Sequence, residues 1–199
     1  WLTNKVDRCV GGKVAKQQCA GPLQLPLNNV GVMALDYNGK EGIATAIGHS
    51  PVAALIDPVA GSRTAIAEAL SNIIWAPIKG GLRGISLSAN WMWPCKNEGE
   101  DARLYKAVQA VSDFAIELGI NIPTGKDSLS MKQKYPNEEV IAPGTVIISA
   151  AGHCTNIRKV VISYNNNPVN NRECTVITLV VLNNINPEHR SRLSILATK

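Results

Sequence analysis

Glu68 and Asn72 stand four residues apart in the stretch DPVAGSRTAIAEALSN, positions 57–72. On a helix that spacing puts both side chains on one side, a turn apart, where their oxygens can converge on a single point. Carboxylate and amide oxygens are the hard donors that magnesium accepts, with water and phosphate oxygens completing its shell. The alternative is an ordinary exposed pair on a lightly charged helix. Measured from Ile66, the residues Thr64, Glu68, Ser71, Asn72 and Trp75 lie opposite the aliphatic stripe. That side carries almost none of the long charged side chains that normally keep a helix face in water.

A second cluster is TGKDSLSM (124–131), where Gly125, Lys126 and Ser128 offer backbone N–H groups, an ammonium and a hydroxyl to an anion. It is not a P-loop, because Asp127 follows the lysine where Ser or Thr is required. A plain polar turn before a strand is the competing reading. In CVGGKVAKQQCAGP (9–22) the glycine pair permits close approach of a ligand to backbone, and Lys13 and Lys16 add positive charge, although a flexible entry loop explains it equally. Cys9 and Cys19 have no histidine placed to activate them: His49, His153 and His189 fall in a turn, near a strand end and in the C-terminal tail. Asn90 in SANWMW is a possible ligand contact beside Trp91 and Trp93, which suit packing. EGED (98–101) suits the start of a helix better than a metal cluster.

The elements that must position these residues follow from periodicity. Ile66, Leu70, Ile73 and Ile74 recur at helical spacing, with Pro58 at the opening turn and Pro77 beyond the end. Leu104, Val108, Val111, Ala115 and Leu118 make a second stripe, with EGED before it and Gly119 as its C-cap. VGVMALDY (30–37) and GIATAIG (42–48), separated by the Asn38-Gly39 turn signal, read as a strand pair. GGLRGISLSAN (80–90) and APGTVIISAAGHC (142–154) each read as a turn and a strand. PTGKDSLSMKQKY (123–135) reads as a loop that passes into alternation, and the chain near Val14–Cys19 as extended or looped with one helical turn. Irregular alternation with hairpin-length connections points to an α+β fold: a mixed or antiparallel sheet with helices packed on one face.

A core over residues 1–158 is expected, followed by a tail, 159–199, that is not an independent domain. The tail holds the asparagine-rich SYNNNPVNNRE and the lone strand-like CTVITLVVL.

The totals narrow the class. The 199 residues are 45% hydrophobic and 18% charged, which excludes disordered and fibrous classes. No apolar run reaches a membrane span of about eighteen residues, and no signal-peptide pattern opens the chain, so a cytoplasmic protein without a membrane partner is expected. Five cysteines, odd in number and without a CxxC pair, read as reduced thiols. The net charge of +5 fits either a nucleic-acid surface or small phosphorylated ligands. Scattered basic residues and 5% aromatics favour no nucleic acid.

Taken in order and at their separations, VDRCVGGKVAKQQCAGP, DPVAGSRTAIAEALSN, LSANWMW and GKDSLSM resemble the large, single-chain form of phosphoribosylformylglycinamidine synthase, over about residues 2–158. The resemblance implies a segment of that purine-biosynthetic ligase. The segment corresponds to the second of its two ATP-binding-like domains, with a fold like the N-terminal domain of aminoimidazole ribonucleotide synthetase. It implies Mg2+ and ATP or ADP as cofactors, with Glu68, Asn72 and Asn29 as metal ligands. Asn29 stands in PLNN where the family usually has aspartate, so an amide replaces a charge. By the same resemblance Asn28 lines the nucleotide, and Gly125, Lys126 and Ser128 contact nucleotide or substrate phosphate.

The full enzyme converts formylglycinamide ribonucleotide, glutamine and ATP to formylglycinamidine ribonucleotide, glutamate, ADP and phosphate. This segment is expected to hold the structural nucleotide, to have no catalytic residue and to be inactive alone. Its expected partners are the first ATP-binding domain and the glutaminase domain. In isolation it is expected to form a homodimer through an open sheet face. The alternative is a scaffold domain that binds no nucleotide by itself.

Overall fold

The structure, a computed structural model, describes residues 13–16, 19–20, 22–26 and 28–160. The greater part of the tail lies outside them, as do Cys9, Gly11 and Gly12.

Strands β4 (Val30–Ala34) and β5 (Gly42–His49) form the expected antiparallel pair, Val30 opposite Ala46 and Ala34 opposite Gly42. Between them Gly39 adopts φ +66°, and its N–H donates to Asp36 Oδ1 at 2.9 Å. Strict alternation along β5 turns Ala44, Ala46 and Gly48 inward and leaves Ile43, Thr45, Ile47 and His49 on the other face. Two helices follow, α1 (Pro51–Ile56) and α2 (Pro58–Ile73), with Asp57 between them. The Asp57 carboxylate accepts the N–H groups of Val59 and Ala60, which starts α2 one residue after α1 ends. The helices cross closely because Gly61 has no side chain: a Cβ there would stand 2.3 Å from the Ala54 backbone.

Strand β6 (Ile85–Met92) leads to helix α3 (Glu100–Leu118), whose first turn carries Glu100 and Asp101 and whose C-cap is Gly119 at φ +68°. The chain then enters β7 (Asn121–Ser128), which pairs parallel with β6, so α3 is the crossover of a β–α–β unit. Here PTGKDS is strand and not the expected loop. It is exposed along nearly its whole length, so no apolar alternation betrays it, and pairing with β6 overrides its turn-like composition. Strands β8 (Lys132–Lys134) and β9 (Glu139–Ile141) form a short hairpin before β10 (Thr145–Cys154). Upstream, β1 (Val14–Lys16) pairs with β4, which corrects the helical turn expected near Val14–Cys19. Strands β2 (Cys19–Ala20) and β3 (Leu25–Pro26) form a separate pair.

The main sheet runs β1-β4-β5-β10-β6-β7, antiparallel except for β6–β7, and is therefore mixed. Helix α2 covers β5 and β10, and α3 packs against α2 and β7. The core lies between: Ala44, Ala46, Leu87, Ala89, Ile148 and Ala150 from the strands meet Ile66, Leu70, Ile73, Val111 and Phe114 from the helices. The opposite face is uncovered and partly apolar, with Ile47 56% exposed and Met33 and Ile43 also in the open. No helix among the described residues is long and apolar enough to cross a membrane.

Candidate functional site

Strand β4 begins opposite Ala46, so the last residues of β5 run on without a backbone partner on that side. Side chains of α2 supply partners for the N–H and C=O groups left there. Glu68 Oε2 accepts the His49 N–H at 2.6 Å, and Asn72 Nδ2 donates to the Ile47 carbonyl at 2.9 Å. The helix can lie this close because of Gly48, where a Cβ would stand 2.1 Å from the Ala65 carbonyl oxygen and 2.3 Å from Ala69 N. Helical spacing did not point to Gly48. Its signal was a lone glycine inside a strand pattern, which marks close backbone approach.

The pairing with β5 leaves Oε1 of Glu68 and Oδ1 of Asn72 as the remaining acceptors. Asn28 and Asn29 directly precede β4, whose pairing with β5 ends at Val30 opposite Ala46; the structure brings Glu68 and Asn72 together on the end of β5, and Asn28 and Asn29 stand at the neighbouring start of β4. Asn28 is buried and Asn29 exposed. These donors are all oxygens of the kind a magnesium ion accepts, and they fit it chemically. Only one of them carries charge: among the described residues no group of three or more His, Cys, Asp or Glu side chains stands together. The small hydroxyls on this side of α2 turn back onto their own helix, Thr64 donating to the Ala60 carbonyl and Ser71 to that of Glu68. That accounts for a helix face with little charge.

Gly125 lies beside Ala89, and a Cβ on it would stand 2.3 Å from the Ala89 carbonyl oxygen, so this glycine serves the approach of β7 to β6. Lys126 and Ser128 share the uncovered face, where Lys126 Nζ donates to Ser128 Oγ at 3.0 Å. The registers align His49, Ile147, Asn90 and Lys126 in one row across the sheet. Lys126 therefore stands at the same end of the sheet as Glu68 but on the face opposite α2, about 14 Å from β5 at the usual strand spacing. Asn90 lies between.

The remaining sequence candidates are occupied elsewhere. Lys13 Nζ donates to the Leu35 carbonyl at 2.8 Å and sits over the Tyr37 ring. Lys16 is buried, and loss of hydration lowers its pKa to about 8. Burial raises the Cys154 thiol; burial, then Asp101 and Glu100, raise that of Cys95, the reverse of an activated thiolate. His153 pairs with Glu41 at 3.4 Å. A cleft of about 420 Å³ between α3 and the β6–β7 pair, lined by Trp91, Val108, Ile116 and Ile122, is apolar and made of different residues from the β5 end.

The profile of the family described as the FGAR-AT PurM_N-like domain matches residues 1–153. The chain belongs to that family. Relatives of this FGAR-AT PurM_N-like chain include phosphoribosylformylglycinamidine synthase of Homo sapiens, 48% identical over 157 residues that cover 79% of this chain and 12% of the relative. The probable phosphoribosylformylglycinamidine synthase of Caenorhabditis elegans is 48% identical over 161 residues, 81% of this chain and 12% of the relative. The chain thus spans about an eighth of the length of these synthases. Among solved structures, T. maritima PurL complexed with ADP superposes with a TM-score of 0.55 at 16% identity, over 67% of this chain and 21% of PurL. PurLQS from Thermotoga maritima gives 0.52 at 19% identity, over 68% of this chain and 21% of that one. At such identities the likeness is of fold, and the FGAR-AT PurM_N-like chain has the α+β architecture its sequence led us to expect.

Proposed function

We propose that this chain is the part of a phosphoribosylformylglycinamidine synthase that holds a magnesium-bound nucleotide at the end of β5 and does not carry out the chemistry itself. The observation that supports the proposal is the placing of Glu68 and Asn72 together on the end of β5 where it outruns β4, with Asn28 and Asn29 just before β4. Glu68 and Asn72 hold the strand end with one atom each and offer an oxygen with the other. Asn29 contributes an amide oxygen and Asn28 lines the nucleotide. Lys126 and Ser128, at the same end of the sheet, supply an ammonium and a hydroxyl to phosphate oxygens. Gly125 acts indirectly, by letting β7 approach β6. Bound there, magnesium would offset polyphosphate charge.

The names of the relatives and the ADP complex of a similarly folded PurL support the reading. The long polypeptide would use ATP and glutamine to convert formylglycinamide ribonucleotide to formylglycinamidine ribonucleotide in the cytoplasm, with a first ATP-binding domain and a glutaminase domain as partners of this segment. The uncovered face of the sheet suits pairing with a similar sheet, and in isolation with a second copy as a homodimer.

A second reading makes the segment a scaffold without nucleotide. The bonds of Glu68 and Asn72 to β5 favour it, since they give both residues a structural task. Calorimetric titration with ADP, with and without magnesium, separates the two. The site reading expects binding that requires magnesium and is lost in Glu68→Gln, which still accepts the His49 N–H. No heat from a folded chain leaves the scaffold.

A further inference from the structure

The β8–β9 hairpin has two unlike faces. Its register sets Lys132 opposite Ile141, Gln133 opposite Val140 and Lys134 opposite Glu139. The Tyr135 N–H to the Glu138 carbonyl, and the Ala142 N–H to that of Met131, extend the pairing at both ends. The two-residue period puts Lys132, Lys134, Glu139 and Ile141 on one face and Met131, Gln133, Tyr135, Glu138, Val140 and Ala142 on the other, with Glu138 at the turn end. The first face satisfies its own charge: Glu139 lies 2.7 Å from Lys132 Nζ and 3.8 Å from Lys134 Nζ, and the Lys132 hydrogen bond holds its carboxyl below the usual range. The second face leaves three large apolar groups in water, Tyr135 53% and Val140 51% exposed with Met131 beside them, against the single Ile141 on the first.

Every residue of both strands is exposed. A two-stranded hairpin alone is marginal in water, and exposed ion pairs add little.

We propose that Met131, Tyr135 and Val140 form a docking surface for another domain of the same, longer polypeptide, one that presents an apolar patch to these three side chains. This rests on the reading of the chain as a segment of a synthase. Two observations select that occupant. The relatives carry the matching segment within chains of which it is 12%, so most of the polypeptide lies beyond the structure. Three side chains bury on the order of a few hundred Å², against roughly 800 Å² per partner in a stable free-standing complex. So small a patch holds when a covalent tether makes docking intramolecular.

Hydroxyl-radical footprinting and lysine acetylation, on the 199-residue chain and on the full natural polypeptide that carries it, test the proposal. In the full polypeptide, modification of Met131 and Tyr135 is expected to fall about fivefold or more, as for a buried interface core. Acetylation of Lys132 and Lys134 is expected to stay unchanged. In the full polypeptide, Tyr135→Ser is expected to restore labelling of Met131. Equal labelling of Met131 and Tyr135 in both proteins overturns the proposal, as does equal protection of the lysines. Protection that appears in the short chain and grows with its concentration overturns it in favour of a second copy. Nucleotide binding is read separately by calorimetry, so a failed β5 site and an undocked hairpin give different results.

Discussion

The Glu68 carboxylate lies 2.6 Å from the backbone nitrogen of His49, tying the third turn of α2 to the last residue of β5. Mutation can separate this structural bond from the cation binding proposed for the same side chain. Glu68→Ala removes both, and is expected to cost about 1–2 kcal/mol in urea unfolding as well as magnesium-dependent ADP binding. Glu68→Gln is expected to stay within about 0.5 kcal/mol of the parent while losing the binding. Equal loss of stability in the two variants would contradict the bond as described.

Asn72 donates through its nitrogen to Ile47. Asn72→Asp turns a carboxylate toward that carbonyl, so the variant is expected to be destabilised by about 1 kcal/mol in EDTA. Saturating Mg·ADP should recover part of the loss, because the new charge strengthens the cation site. Thermal melts in the two buffers measure this; a deficit that ignores magnesium counts against a cation at this place.

Gly48→Ala is expected to act on the site from a distance. A methyl group there meets the α2 backbone, at Ala65 and Ala69, and must push the helix off β5. The expected cost is about 3 kcal/mol, with nucleotide binding lost although no candidate ligand has changed. Retained binding at parental strength would show that α2 and β5 need not touch.

Gly125→Ala should destabilise by a similar amount, about 2–3 kcal/mol, through the Ala89 carbonyl. Ser128→Ala, by contrast, is expected to leave the melting temperature within a degree or two while weakening binding. The contrast in thermal melts separates a glycine that shapes the sheet from a hydroxyl that meets a ligand.

Lys16 is buried in β1 and its pKa falls from 10.5 to about 8 through desolvation. The folded chain then binds this proton less readily than the unfolded chain. The penalty is complete below about pH 8 and fades as the pH climbs toward 10.5, where the unfolded lysine is neutral as well. Lys16→Met is expected to stabilise at pH 7 by about 1–2 kcal/mol, discounted because the ammonium keeps some access to water. The gain should shrink between pH 8 and pH 10.5. Urea unfolding of both proteins across that range is the measurement, and a gain independent of pH would refute the buried ammonium.

Helices were legible because their signal is local: Ile66, Leu70 and Ile73 are buried as their spacing requires, and Gly119 caps α3 in the left-handed conformation. The inward residues of β5 and β10 alternate for the same reason. The partners of the site residues were not legible, because they arise between elements. Glu68 meets a backbone group 19 residues away and Asn72 one 25 residues away, and neither choice leaves a trace in helical spacing. Gly125 read as a loop glycine because its reason, the Ala89 carbonyl, belongs to a different strand. Spacing put Glu68 and Asn72 on one side of α2, as the structure has them; it left open that they would each use an atom on the sheet.

Strand β7 ends the sheet on one side, with Pro123, which has no N–H to offer, Lys126, and an irregular register between Ser86 and Ser88. Each of these discourages an incoming strand. Fibril-like stacking through that border is therefore disfavoured, so this edge of the chain resists addition of a further strand.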